Sequence, residues 1–158
     1  MKYLFTAIFS ALLTLGYSQV SLKEELPPMA LLFVSGAGNG AAELSKWRWN
    51  AFQSTFPNAN PEFFNPEISW RNKYKNGNPQ DGPAFFGSTT FLVGATDFYH
   101  ASRTVSNTSM LFAVILSPRD NLTWKTVLIK FLLYSASYHA GFWLTYELPL
   151  HIYKQKHK

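Results

Sequence analysis

Apolar residues gather into stretches separated by polar, proline-rich sequence. A first run, Tyr3 to Tyr17, follows Met1-Lys2 and precedes Ser18-Gln19. One positive charge, an apolar stretch and then small or polar residues predict a secretory signal, with an uncleaved N-terminal anchor as the alternative. Residues 20–28 (VSLKEELPP) read as a polar spacer ended by two prolines. MALLFVS (29–35) then runs into GAGNGAAE (36–43), where Gly36, Gly38 and Ala41 imitate a dinucleotide-binding fingerprint. That fingerprint needs a strand, a turn and a helix inside a βαβ unit. The chain instead enters FPNANPEFFNPE (56–67), which forms neither a crossover helix nor a second buried strand, so a Gly-rich turn before a helix over Ala41 to Phe56 is expected.

Residues 57–83 are punctuated by Pro57, Pro61, Pro66, Pro79 and Pro83, with Asn76-Gly77 marking a tight turn, and read as loop. From 84 the pattern changes. Residues 84–101 are mostly apolar, a polar link (SRTVSNTS) leads to 110–117, and Pro118-Arg119-Asp120 closes that segment. One helix through the link or a helical hairpin both fit. Residues 126–148 have the length to span a bilayer, which takes about 20 residues. Small residues Ser135, Ala136, Ser137, Ala140 and Gly141 would let another helix approach closely. The expectation is an all-α protein: a small helical membrane bundle with a signal or anchor (1–19), an exported loop carrying a short amphipathic helix (20–83), membrane-embedded helices (84–153) and a basic tail (154–158). On the rule that positive charge stays inside, 84–101 would cross inward, 105–117 outward, and 126–148 would bring Lys154, Lys156 and Lys158 to the cytoplasm.

Composition agrees in part. Aromatics make up 17% of the chain and charged residues 15%, against about 25% charged in soluble domains. A mean hydropathy of -0.08 is low for a multi-pass protein and keeps a soluble secreted binding protein open. The net charge is +5, and no nucleic-acid-binding module accompanies it. Membrane lipid is therefore the expected partner, with another envelope protein or a second copy beside it. No cysteine is present, which excludes disulfides, thiolate metal sites and a thiol nucleophile.

Chemistry concentrates at three places. Asp97, His100 and Arg103 recur every three residues, and Ser135, His139, Trp143 and Glu147 every four, so each set shares a helix face. Ionisable groups inside membrane segments face the bundle interior or a water-filled cavity, so the two faces are expected to meet. Asp97, His100 and His139 have the atoms to hold a divalent metal, or to relay protons or ions. Polar groups that fix helix packing are the simpler reading, with no cofactor. No HExxH, GxSxG or EF-hand pattern decides among these, so a structural or interaction role in the envelope is expected, with an intramembrane metal-dependent enzyme or an ion- or proton-handling component as the alternative. In the loop, Trp70, Arg71, Lys73 and Lys75 interleave rings with cations, as a lipid-headgroup or phosphate contact would. SWRNKYKNG (69–77) followed by FFGSTTFLVGATDFYH (85–100) resembles uncharacterised small membrane proteins of Bacteroidota and their phages. The resemblance covers residues 69–100, implies a bacterial inner-membrane or envelope location, and carries no activity with it.

Overall fold

The computed structural model describes residues 20–119 and 122–158; the expected signal or anchor at 1–19 lies outside them. The fold is all-α. Three long helices dominate: α1 (Leu22–Trp47), α5 (Phe98–Leu116) and α6 (Trp124–Phe142). Between α1 and α5 lie the short helices α2 (Trp49–Thr55), α3 (Pro61–Phe64) and α4 (Pro66–Ser69) and several 3-10 turns. A π-helical turn, Trp143–Glu147, carries α6 into α7 (Leu148–Lys156).

The expected Gly-rich turn is the middle of α1, which begins near residue 22 rather than at Ala41 and swallows the polar spacer. Pro27 and Pro28 sit within its second turn and remove two backbone donors, which ordinarily breaks a helix. Here Pro28 is buried, and Glu25 one turn earlier is pinned to α6, so tertiary contacts hold the segment helical. Each helical glycine costs about 1 kcal/mol relative to alanine, but without a Cβ it lets neighbouring backbones come close. A Cβ on Gly36 would lie 1.9 Å from the Tyr138 carbonyl oxygen, and one on Gly141 2.0 Å from that of Phe33.

α1 packs against both α5 and α6, and those two make little contact with each other. α5 runs antiparallel to α1: Ser106 meets Ser35 at 3.2 Å, and Ser102 faces Gly38. α6 runs parallel to it. Ser137 Oγ donates to the Met29 carbonyl at 2.6 Å and Thr145 Oγ1 to that of Ala37 at 2.8 Å, each pair 108 residues apart, with Gly141 against Phe33 between them. The four-residue recurrence on both helices makes one continuous seam of small side chains.

The polar link at 102–109 lies inside α5, so 84–101 and 105–117 are not two crossing segments. Ser102, Ser106 and Ser109 face α1 and are buried; the link reads as a break only while its partner is unknown. Residues 84–97 form turns instead of a helix and fold back so that Gly94 touches Thr104. In the 57–83 segment the Asn-Pro steps at 60, 65 and 78 each start a helical turn. The Asn side chain accepts from the N–H two residues on, and proline fills the first helical position, where its missing N–H is harmless. Among the described residues no strand forms beyond one isolated bridge, Tyr74 to Pro83, and no helix is long and apolar enough to cross a membrane.

The two ends of the molecule are built differently. Where α1 ends and α7 returns, Leu44, Ala51, Phe52 and Leu150 form an apolar core, with Phe64 and Phe98 packed on it. At the opposite end, where α1 and α6 begin and α5 finishes, the buried positions include Glu25, Ser109, Thr126 and Lys130, while Leu111, Val114, Ile115 and Phe131 face outward.

Candidate functional site: two polar networks beside an interhelical cleft

Two networks cross the bundle. Near the start of α1 the Glu25 carboxylate, 2% exposed, pairs with Lys130 Nζ at 2.8 Å and accepts a hydrogen bond from the Tyr134 hydroxyl. Lys130 also donates to the Pro118 carbonyl, and the Ser117 and Tyr134 hydroxyls lie 2.8 Å apart. This set ties α1, the end of α5 and α6 together. A buried pair of this kind holds only where further hydrogen bonds satisfy both ions, and here they do.

The second network sits at mid-bundle around Asn39. Its amide nitrogen donates to the Tyr138 hydroxyl at 2.7 Å, and its carbonyl oxygen accepts from the Arg103 guanidinium. Arg103 also approaches Glu43 at 3.7 Å. One asparagine, using both ends of its side chain, thereby bridges α5 and α6 at mid-bundle, as Ser117 and Tyr134 do where α5 ends.

The residues singled out from sequence divide between these structures. Asp97 is not on the helix but at its N-cap, 1% exposed, where its carboxylate accepts from the His100 N–H at 2.9 Å. The same carboxylate meets His100 Nδ1 at 2.8 Å and accepts from Thr96 Oγ1 at 3.0 Å. Asp97 and His100 are thus together, whereas Arg103 turns to α1. His139 is on the exposed side of α6, edge-on to Tyr138. The register places it roughly 15–20 Å from Asp97 along the bundle axis, at about 1.5 Å rise per residue. Glu147 is exposed in the π-helical turn. Among the described residues no group of three His, Cys, Asp or Glu side chains is placed to hold a metal ion. In the loop, Arg71 lies over the Trp70 ring at 5.7 Å and Trp70 is edge-on to Tyr74. Arg71 and Lys75 are exposed, and Lys73 is half-buried.

Asp97→Ala removes an N-cap and the His100 contact at once. It is expected to destabilise the protein by about 1–2 kcal/mol, read as a lowered midpoint of thermal unfolding followed by circular dichroism. No change would mean the cap contributes nothing to α5.

Because α5 and α6 both pack on α1 but make little contact with each other, a cleft of about 450 Å³ opens between them. Its α5 wall is apolar (Met110, Ala113, Val114); its α6 wall carries Tyr134, Ser135, Tyr138 and His139, and Arg119 stands at one end. Sequence reasoning missed Glu25, Asn39, Tyr134 and Tyr138. Lys130, Tyr134 and Tyr138 do repeat every four residues, a legible face. Glu25 and Asn39 carried no such signal, because each looked like part of a loop. Comparison with protein families, with curated protein sequences and with solved structures finds no match for this chain.

Proposed function

We propose that the protein is a small integral protein of the bacterial cell envelope, structural or interaction-mediating in role, with its three long helices seated in the bilayer. The observation that carries this reading is the inversion at the end built by the starts of α1 and α6. There the buried positions include Ser109, Thr126, Glu25 and Lys130 beside Ala113, Pro28 and Val20, and the surface includes Leu111, Phe112, Val114, Ile115, Leu116 and Phe131. In water such a surface would be a large exposed apolar patch, which soluble monomers rarely keep. In lipid it is the expected arrangement, because small and polar residues drive helix association where burial of hydrocarbon does not.

Part of the modest hydropathy of α5 comes from Ser102, Ser106 and Ser109, which are buried. Trp124, 73% exposed on the first turn of α6, with Lys125 Nζ 5.8 Å from its ring, suits a headgroup boundary. Arg71 stacked on Trp70, with Lys73 and Lys75 nearby, would meet headgroups from the loop. The expected result is that the full chain floats with phosphatidylglycerol vesicles in a density gradient and stays with membranes through alkaline carbonate extraction. Recovery in the carbonate supernatant, as a monomer, would overturn the reading in favour of a soluble secreted protein.

A further inference from the structure

We propose that the cleft between α5 and α6 holds one acyl chain of an anionic phospholipid, with the headgroup at Arg119. The proposal rests on the bilayer reading above and names the ligand that reading would supply. The cleft volume of about 450 Å³ falls within the range of about 300–1,000 Å³ typical of small-ligand sites. Leu32 forms part of its floor and Met110, Ala113 and Val114 one apolar wall; on the α6 wall the Tyr134 and Tyr138 hydroxyls are already hydrogen-bonded within the bundle. The cleft is continuous with the outward-facing residues of α5, since Val114 belongs to both. A lipid beside the bundle therefore reaches it by sideways movement.

Length agrees as well. From Met110 to Ser117 the cleft follows α5 for about 10 Å at a rise of about 1.5 Å per residue. That lies within one leaflet, about half of a hydrocarbon core of about 30 Å.

Charge selects the headgroup and its direction. Arg119 lines the cleft where α5 ends, and Lys23 and Lys125 are exposed on the first turns of α1 and α6 at that same end. Glu24 is the exposed acid beside them among the described residues, and with Asp120, which follows Arg119 in the sequence, it makes a smaller acidic set. The cations outnumber it, and a guanidinium binds phosphate oxygens in a bidentate manner. At the other end of the cleft Tyr138 is held by Asn39, so that end is closed by a side chain already satisfied within the bundle.

Native mass spectrometry of the full chain, released in mild detergent from mixed vesicles of phosphatidylglycerol and phosphatidylcholine, tests the proposal. The expected wild-type spectrum shows one phosphatidylglycerol per chain, preferred by about tenfold over phosphatidylcholine, which has the same phosphate but adds a choline cation that the basic residues repel. Val114→Trp and Met110→Trp each place a large ring in the cleft from a position already exposed. Both are expected to lose the retained lipid while keeping the wild-type helical signal and floating with vesicles as before. Arg119→Gln should keep a bound lipid and lose the preference for the anionic one. A wild-type chain carrying no lipid, either tryptophan variant retaining it, or a mass showing a second copy in its place would overturn the proposal. Flotation reports on the bilayer reading separately: a chain that does not float but still retains phosphatidylglycerol would sink that reading and leave the cleft as a lipid site.

Discussion

Gly36→Ala is expected to destabilise the protein by about 2 kcal/mol, the upper end of the overpacking cost less the helix-propensity gain, although alanine is the better helix former. The gain in helix propensity is about 1 kcal/mol. Against it stands a Cβ placed 1.9 Å from the Tyr138 carbonyl oxygen and 2.8 Å from its carbon. Both are backbone atoms, so no rotamer change relieves the contact, and α1 and α6 must move apart along the seam that includes Gly40 and Gly141. Overpacking of this kind costs about 1–3 kcal/mol, occasionally more. Ala30→Leu, at an exposed position of the same helix, should stay within about 0.5 kcal/mol of wild type. Equilibrium unfolding in detergent measures both. A Gly36→Ala chain as stable as wild type would mean that the two helices do not approach so closely.

The second large effect lies at Glu25 and Lys130. Lys130→Met leaves a carboxylate that is 2% exposed without its cation, and Glu25→Met strands the ammonium. Each is expected to cost about 3–5 kcal/mol. The double replacement removes both ions and should recover most of the loss, because two well-packed apolar side chains replace a buried pair at little or no net cost. Part of the deficit should remain, since the Tyr134 hydroxyl loses its acceptor, a hydrogen bond contributing about 1 kcal/mol. Unfolding of the two single variants and the double gives the coupling directly. If the double variant simply sums the two single losses, the pair does not act as a unit, and the register between α1 and α6 is held elsewhere.

What could be read in the sequence followed how local each signal was. The all-helical class, the helix near 126–148 and the closeness of Asp97 to His100 rest on contacts within a few residues, and all three appear in the structure. α6 begins where Thr123 and Thr126 form a reciprocal cap, again a local device. The Asn-Pro helix starts at 60, 65 and 78 were equally local; they were legible as caps but read only as breaks.

The rest depends on partners distant in the chain. GAGNGAAE looked like a turn because glycine lowers helix propensity; it is helical because α5 and α6 press on it where a side chain would not fit. SRTVSNTS looked like a link because its serines are polar; it is helical because those serines face α1. Two prolines looked like a helix stop, yet α1 runs through them with Glu25 held by Lys130 and Tyr134 more than a hundred residues away. The sequence by itself determined the helical class and the short-range caps, since these depend on backbone dihedrals and neighbours within one turn. Only the tertiary structure decided that α1 stands between the other two long helices, that Asn39 joins Arg103 to Tyr138, and that His139 stays apart from His100. Each of those depends on which helix faces meet, and small residues, unlike a stripe of large apolar ones, permit a meeting without announcing it.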